Sequence, residues 1–186
     1  MSKLVVISAP SGAGKTSIAN FLINRIEKLS FSISATSRSP RADEKDSVNY
    51  YFKSIDEFKN DINNNLFAEW QEVYIDKFYG TYLKELNRIW SLNKVVLLDV
   101  DVFGGINIKN KFKKNCLSIF IMPPSKNELL NRLKKRDSES PSQLIERELK
   151  MDLELSQGSK FDCIIKNIIL EEACLEAEKI ICSFLK

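Results

Sequence analysis

The sequence contains no histidine among its 186 residues. This absence excludes Ser-His and Cys-His nucleophilic catalysis, because both depend on an imidazole as the general base. It also argues against a zinc site, since Cys116, Cys163, Cys174 and Cys182 are scattered and form no C-x-x-C pair. The neighbours of these cysteines are apolar, so we expect buried free thiols in a reducing compartment.

Long apolar runs and a strong net charge are missing as well. No run approaches the roughly 18 apolar residues of a membrane span, so we expect no membrane association. The net charge is only +3, and residues 35–80 carry nine acidic against six basic side chains, which argues against nucleic acid as a partner. The chain enters its first apolar run almost at once, so we expect no signal peptide and a cytoplasmic protein. A chain of 186 residues with 44% hydrophobic content indicates one domain, with room for lobes.

The most informative stretch lies at the N-terminus, where a strand, a glycine-containing loop and a helix are predicted in succession. The apolar, β-branched run at residues 4–7 predicts a buried strand, and after the turn through Gly12 and Gly14 a helical pattern begins at Lys15. Backbone N–H groups of such a loop wrap a polyphosphate, Lys15 would reach the β- and γ-phosphates, and Thr16 would ligate Mg²⁺. The predicted ATP-binding residues of the loop are Ala9, Pro10, Ser11, Gly12, Ala13, Gly14, Lys15 and Thr16.

This loop departs from the usual pattern at Ala9, which stands in place of the first glycine. Alanine is acceptable at that position only if its φ stays negative. The alternative interpretation is an ordinary turn rich in small residues, but the succession of strand, loop and helix argues against it. Phosphoryl transfer is compatible with the lack of histidine, because it depends on positioning and cations.

Two carboxylates stand at the end of the apolar run that begins at Val95. The run predicts a strand of a parallel sheet that is covered on both faces. Asp99 and Asp101 would then lie at its carboxyl end, where ligands bind in such sheets. One of them, assigned here as Asp99, would hold Mg²⁺ directly or through water, together with Thr16. The alternative is that the carboxylates cap the following helix.

Arginines occur in two further groups. Arg38 and Arg41 flank a proline in a polar segment without helical or strand period. They are either solvated or form a fork-shaped clamp on a phosphate monoester. Arg132 and Arg136 are four residues apart on a predicted helix and share a face, and Arg147 follows on the next predicted helix.

The rest of the chain alternates predicted strands and helices, which indicates an α/β fold with a parallel sheet core flanked by helices. Helical spacing covers residues 17–29, and residues 31–34 alternate as a short strand. Residues 66–73 are a predicted strand and residues 78–81 a predicted turn. Further strands are predicted at 116–121 and 161–165, and a final helix at 170–185.

Taken in order, these motifs resemble the guanylate kinase family of P-loop nucleoside monophosphate kinases. Apart from the P-loop, the resemblance rests on Ser34-Ala-Thr-Ser-Arg-Ser-Pro-Arg41, Val48-Asn-Tyr-Tyr-Phe52, Phe67-Ala-Glu-Trp70, Tyr79-Gly-Thr81, Leu98-Asp-Val-Asp101 and the arginines at 132, 136 and 147. It covers essentially the whole chain, and the order and spacing are more specific than any one motif. It implies a single domain of residues 1–186, with a core at about 1–33, 81–124 and 156–186, a GMP-binding lobe at about 34–80 and a lid at about 125–155.

The resemblance further implies an enzyme of nucleotide recycling that converts ATP and GMP into ADP and GDP with Mg²⁺, without an obligate protein partner. It does not say whether dGMP is also used. By resemblance, the residues of the GMP phosphate site are Arg38, Arg41, Tyr50 and Tyr79, and those around guanine are Ser34, Glu69, Thr81 and Asp101. The catalytic cations would be Lys15, Arg38, Arg132, Arg136 and Arg147, and Asn167 would lie near the adenosine.

The proposed base recognition has a chemical reason. Guanine presents N1–H and N2–H₂ donors on its Watson–Crick edge, and a carboxylate such as Glu69 accepts from both. Adenine lacks these donors, so AMP would leave the buried carboxylate unpaired. Besides Ala9, the sequence departs from the family pattern at Phe103, where glutamine is common, and at Ile168, where aspartate is usual.

Two other functions remain open at this point. The first is a catalytically silent guanylate-kinase-like module that binds proteins; such modules tend to have damaged P-loops, whereas Lys15 and Thr16 are kept here. The second is a P-loop kinase for another small phosphate monoester, against which Glu69 and the two tyrosines argue. A GTPase switch would leave the second phosphate-binding segment unexplained.

Overall fold

The computed structural model of the protein describes residues 2–134 and 141–186, with all their side chains except those of 132–134, 141–147 and 149. The strands in these ranges are β1 (Leu4–Ser8), β2 (Leu29–Phe31), β3 (Ala35–Thr36), β4 (Tyr51–Phe52), β5 (Phe67–Tyr74), β6 (Lys77–Tyr82), β7 (Val95–Val100), β8 (Cys116–Met122) and β9 (Cys163–Lys166). The α-helices are α1 (Lys15–Arg25), α2 (Ile55–Asn63), α3 (Leu83–Ser91), α4 (Val102–Phe112), α5 (Lys126–Lys134), α6 (Pro141–Ser156) and α7 (Leu170–Leu185).

A five-stranded parallel sheet in the order β2-β7-β1-β8-β9 forms the centre of the molecule. β1 lies in the middle, with Leu4 level with Val96 on β7 and with Cys116 on β8. Every residue of β1 is buried, because helices cover both faces of the sheet. This confirms the predicted parallel α/β core, and it places the carboxyl ends of β1 and β7 side by side.

The two faces of the sheet carry separate apolar cores. On one face, α1 and α7 pack over β1 and β8, with Ile18 and Ile181 fully buried. On the other face, α3 and α4 pack over β1 and β7, with Leu86 and Ile108 fully buried. Because both cores pack against β1, they fix the end of the strand from which the following loop begins.

A second sheet, in the order β4-β3-β6-β5, stands beyond the carboxyl edge of the central sheet. Its aromatic residues form their own cluster, in which Phe58 stacks on Phe67 with ring centroids 4.6 Å apart, and Phe67 stacks on Tyr82 at 4.5 Å. A capping box begins α2, with Ser54 and Glu57 exchanging hydrogen bonds. This small core gives the segment between β2 and α3 its own rigidity.

Several predicted element boundaries were wrong, among them the start of the last strand, which is Cys163 rather than residue 161. The predicted turn at 78–81 lies inside β6, which pairs antiparallel with β5; the reversal occurs earlier, at Asp76, whose φ is 57°. α1 ends at Arg25, and Leu29 belongs to β2 rather than to the helix. The strand predicted at 31–34 therefore begins two residues earlier. In each case the apolar spacing fitted two kinds of element, and pairing with a distant strand decided between them.

None of the described helices is both long enough and apolar enough to cross a membrane.

Candidate functional site

The loop after β1 has the backbone shape of a phosphate-binding loop. Gly12 and Gly14 have φ values of 89° and 92°, in the left-handed region that favours glycine. Ala9 is not among the described residues with positive φ and is buried against the core. The condition under which alanine replaces the first glycine is therefore met, and α1 begins at Lys15 as predicted.

Asn167 stabilises the backbone of this loop through a buried hydrogen bond. It is almost fully buried at the end of β9, and its Nδ2 donates to the carbonyl of Ala13 at 2.7 Å. A Cβ atom at Gly14 would come within 2.4 Å of the same Nδ2. Asn167 thus holds the loop backbone, and the predicted contact with adenosine stays a prediction.

The two carboxylates at the carboxyl end of β7 have different roles, which the sequence left open. Asp101 caps α4, because its Oδ1 accepts from the N–H groups of Phe103 at 2.9 Å and Gly104 at 3.2 Å. Asp99 instead faces the P-loop, where Oδ1 accepts from Lys15 Nζ and Oδ2 accepts from Thr16 Oγ1 at 2.9 Å. Burial alone would lower the pKa of Lys15, but its pairing with Asp99 outweighs this and the pKa is raised.

The same oxygens fit a magnesium ion. Thr16 and Asp99 offer a hydroxyl and a carboxylate oxygen next to the phosphate-binding loop, and Mg²⁺ binds through such hard oxygen ligands. Within residues 2–134 and 141–186, no group of three or more Cys, Asp or Glu residues could hold a metal ion by itself. An ion at this position would therefore depend on phosphate and water oxygens for its remaining ligands.

The phosphate clamp predicted in the polar segment centres on Arg38, which is not solvated. Its side chain is 13% exposed and pairs with the carboxylate of Glu44 through two hydrogen bonds of 2.6 Å. Arg38 Nε donates to Tyr79 Oη at 3.2 Å, and its guanidinium lies 5.1 Å from the ring centre of Tyr50. Arg41 is more open, with its side chain 54% exposed. The geometry thus brings all four predicted residues of the GMP phosphate site together.

Glu44 was missed by the sequence reasoning. Hydrogen bonds from Arg38 lower the pKa of the Glu44 carboxyl despite partial burial, so the pair is charged at neutral pH. The available signal was the spacing Arg41-Ala-Asp-Glu44, in which the Glu44 carboxylate accepts from the Arg41 N–H at 2.8 Å.

At the other end of the second sheet, Glu69 is buried and forms no ion pair with any described residue, although the charge of Lys111 acts on it from a greater distance. β5 pairs Glu69 directly with Thr81 on β6, whose hydroxyl donates to Glu69 Oε1 at 2.8 Å. Burial raises the pKa of Glu69 to about 8, and the negative charge of Asp101 adds to this effect. A Cβ atom at Gly104 would come within 2.7 Å of Glu69 Oε2 and 3.0 Å of Asp101 Oδ2. Gly104, a second residue that the sequence reasoning missed, therefore lets both carboxyl groups approach α4.

A single pocket connects these groups. Its walls include the predicted residues Ala9, Pro10, Ser11, Gly12, Lys15, Thr16, Ser34, Arg38, Arg41, Tyr50, Glu69, Tyr79, Asp99 and Asp101. The predicted residues Ala13, Gly14, Thr81 and Asn167 are not among its lining residues. Arg136 lies outside the described residues, as do the side chains of Arg132 and Arg147, whose backbones belong to α5 and α6.

The pocket also contains a residue from α6 that the sequence did not single out. Glu154 is 7% exposed and lines the pocket. Burial raises its pKa to about 7, although Lys150, 3.7 Å away on the same helix, acts in the opposite direction. Lys150 Nζ also donates to the carbonyl of Val73 at 2.8 Å, so α6 contacts the end of β5.

Comparison with known proteins agrees with this geometry. The sequence model of the family described as "Guanylate kinase" matches residues 1–183. The chain is 46% identical over 184 residues to the guanylate kinase of Bacteroides fragilis, covering 99% of this chain and 90% of that protein. It is 44% identical over 186 residues to the guanylate kinase of Porphyromonas gingivalis, covering 100% and 99% of the two chains.

A solved structure is similar along the same length. The crystal structure of guanylate kinase from Anaplasma phagocytophilum superimposes with a TM-score of 0.79 at 29% identity, covering 97% of this chain and 85% of that chain. The sequence and the fold thus point to one family over nearly all residues. The chain belongs to the guanylate kinase family.

Proposed function

We propose that this protein transfers the γ-phosphoryl group of ATP to the phosphate of GMP and releases ADP and GDP. One observation carries the proposal: a single pocket joins a P-loop to an arginine–tyrosine cluster and to a buried carboxyl, Glu69, whose hydrogen-bond partner among the described residues is Thr81. A purine nucleotide matches this pocket, because its base would bring N–H donors to Glu69 while its phosphate would reach the arginine–tyrosine cluster.

The guanine end would recognise the base through Glu69. Its carboxylate would accept from N1–H and N2–H₂, while the hydroxyl of Thr81 holds Glu69 Oε1 in place. AMP offers no such donors, and leaving a buried carboxylate unpaired supports a rejection of about 10⁴-fold. Ser34, also on the pocket wall, would complete the base site.

The phosphate end would hold the acceptor through Arg38, Arg41, Tyr50 and Tyr79. Their hydrogen bonds and charge would orient the GMP phosphate toward the P-loop. Lys15 would leave part of its pairing with Asp99 to contact the β- and γ-phosphates and to stabilise charge that develops during transfer. Arg132, Arg136 and Arg147 are proposed to add positive charge from the lid.

Mg²⁺ would be held by Thr16 and Asp99 together with phosphate oxygens, and when bound it supplies neutralisation of the phosphate charge.

We also propose the three-part division given by the resemblance, with a lobe at about 34–80 whose aromatic cluster is its own core and a lid at about 125–155. The cytoplasmic location and the absence of nucleic-acid and protein partners stay predictions.

The two alternatives fit the geometry less well. The glycine conformations and the Lys15–Asp99–Thr16 arrangement form an intact P-loop, which a catalytically silent module does not need. A kinase for another phosphate monoester would have no use for Glu69 and would bear the cost of burying it.

The direct test is turnover with ATP and Mg²⁺ against GMP, dGMP, AMP, CMP and UMP. We expect activity with GMP and at least about 10³-fold lower kcat/KM with AMP. Equal activity with AMP and GMP would contradict the proposal, and the dGMP result decides whether the ribose 2′-hydroxyl matters.

Lys15→Ala tests the phosphoryl-transfer step. We expect at least ~10³-fold loss of kcat, about 4 kcal/mol of transition-state stabilisation, with the fold retained, because a cation placed for developing charge is removed. The matched control is Lys28→Ala, which removes an exposed lysine and should leave kcat unchanged. A folded Lys15→Ala protein with near wild-type turnover would show that the P-loop has another role.

A further inference from the structure

The guanidinium of Arg38 is already occupied along one edge. Its Nη1 and Nη2 atoms donate to the two carboxylate oxygens of Glu44, each at 2.6 Å. Nη1 also donates to the carbonyl of Ser39 at 2.8 Å. This end-on edge of the arginine fork is therefore used within the protein and faces away from a ligand.

The other edge is formed by Nε and Nη2. Nε–H donates to Tyr79 Oη at 3.2 Å, a bond that a phosphate oxygen would replace, and the second N–H of Nη2 has no hydrogen-bond partner among the described residues. Tyr79 packs edge-on against Tyr50 at 6.1 Å, and Tyr50 lies against the face of Arg38. Arg38, Tyr50 and Tyr79 all line the pocket, whereas Glu44 is not among its lining residues.

Glu44 is well placed to hold this orientation. Its side chain is only 11% exposed, so the ion pair is shielded more than a surface pair. Glu44 Oε2 also accepts from the Arg41 N–H at 2.8 Å, and the Glu44 N–H donates to the Arg41 carbonyl at 3.1 Å. One carboxylate thus fixes the Arg38 side chain and the backbone that carries Arg41.

We propose that Glu44 is a positioning residue that occupies the end-on edge of Arg38 and thereby presents the Nε–H and Nη2–H edge to the phosphate of the acceptor nucleotide. This role rests on the proposed function, because it requires a phosphate monoester as acceptor. Bidentate recognition through Nε and Nη2 needs the fork to be held at a fixed angle, and a freely rotating arginine would lose rotamer entropy on binding.

The first test is the pair Glu44→Gln and Glu44→Asp, measured with GMP and ATP. The glutamine keeps the shape but has a single acceptor oxygen, so it cannot span both Nη atoms. We expect KM for GMP to rise about 10- to 100-fold in Glu44→Gln, with KM for ATP within twofold and Tm little changed. Glu44→Asp keeps the charge and should recover part of the loss. Asp43→Asn, which removes a neighbouring exposed charge, is the matched control and should behave as wild type.

The second test is a double-mutant cycle with Arg38→Lys. A lysine has no second edge to orient, so Glu44→Gln should add less than about threefold in the Arg38→Lys background. Equal effects in both backgrounds would show that Glu44 does not act through Arg38. An unchanged or lower KM for GMP in Glu44→Gln would also overturn the proposal, and a lower value would mean that Glu44 competes with the phosphate.

A purely structural role gives a different pattern, namely a large fall in Tm with parallel losses for GMP and ATP, and this result would overturn the positioning role. The proposed function fails independently, since wild-type protein would then show no turnover with GMP. Wild-type turnover with an unaffected Glu44→Gln variant would overturn only the role of Glu44.

Discussion

The two ends of the substrate pocket each contain a glutamate, and the two are in opposite electrostatic situations. Glu44 is paired on both oxygens by Arg38, and this pairing lowers its pKa. Glu69 is more deeply buried and, in the described part of the chain, is hydrogen-bonded by Thr81 alone, and burial together with the charge of Asp101 raises its pKa to about 8. Among the described residues Glu69 forms no ion pair.

This difference indicates which of the two carboxyl groups would form new hydrogen bonds with a ligand. A buried carboxylate without a cation or enough donors is costly, and a folded protein usually neutralises or pairs it. Both carboxylate oxygens of Glu44 are hydrogen-bonded within the protein, so Glu44 does not need a ligand and instead holds Arg38 in position. Glu69 is unsatisfied when ionised, so a ligand that brings two N–H donors would gain the interaction that the protein lacks. At the phosphate end the situation is reversed: Glu44 holds Arg38 in position before a ligand binds, so an anionic phosphate would meet a cation that is already placed.

Changing Glu69 should give the largest effect. Glu69→Gln replaces one acceptor oxygen with an NH₂ group that would face the donors of guanine. We expect kcat/KM for GMP to fall by roughly 10² to 10⁴, in line with a mispaired buried group, while KM for ATP changes little. Glu27→Gln, the same change at an exposed position, is the control. A loss of less than about threefold would mean that Glu69 does not recognise the base.

The same substitution should change how stability depends on pH. The pKa of Glu69 is raised in the folded protein to about 8 from an ordinary value of 4.5. Between these values the folded state binds more protons than the unfolded state, so rising pH lowers the free energy of unfolding. Glu154, with its pKa raised to about 7, acts in the same direction in both proteins and cancels in the difference.

We therefore expect Glu69→Gln to be more stable than wild type at pH 8 by at least about 1 kcal/mol and nearly equal to it at pH 4, below the unfolded pKa of the glutamate. Urea unfolding at the two pH values measures this difference. Parallel stability curves for the two proteins would show that Glu69 is ionised and satisfied in the folded state without a ligand.

The smallest expected effect concerns the loop between Glu44 and Tyr50. Ser47 has a φ of 60°, in the left-handed region where a Cβ atom is unfavourable. Ser47→Gly should raise the free energy of unfolding by about 0.5 kcal/mol, because the relief of strain exceeds the added freedom of glycine in the unfolded chain. KM for GMP should stay within twofold.

The control for Ser47 is Ser183→Gly on the exposed side of α7. It should lower the free energy of unfolding by about 0.5 kcal/mol, since glycine is unfavourable in a helix. Thermal unfolding of both variants gives the comparison, and a change of the same sign in both would contradict the assigned strain at Ser47.

Much of the fold could be predicted because its signals are local. The P-loop, α4 and α7 depend on glycine positions, a capping carboxylate and helical spacing, all of which stand within a few residues of each other. The strand β6 was mistaken for a turn because its Tyr-Gly-Thr sequence is ambiguous alone. Its pairing with β5 across the lobe decides its conformation.

The unpredicted residues of the site share one property, which is that tertiary contacts give them their role. Glu44 matters because the chain folds back onto Arg38, and Gly104 matters because Glu69 approaches α4 from another sheet. Glu154 reaches the pocket only because α6 contacts the end of β5 through Lys150. Spacing along the sequence contains no information on these approaches.

The most direct test of the contrast between Glu69 and Glu44 is the number of protons released when GMP binds at pH 7. A carboxyl with a pKa of about 8 is mostly protonated at this pH and must ionise to accept from guanine, so wild-type protein should release close to one proton per GMP. Calorimetry in two buffers of different ionisation enthalpy measures this number, and subtracting the value for Glu69→Gln removes the contribution of the GMP phosphate. We expect a difference close to one proton at pH 7 that disappears at pH 9. Equal proton release in the two proteins at pH 7 would contradict the conclusion that Glu69 is held neutral until guanine binds.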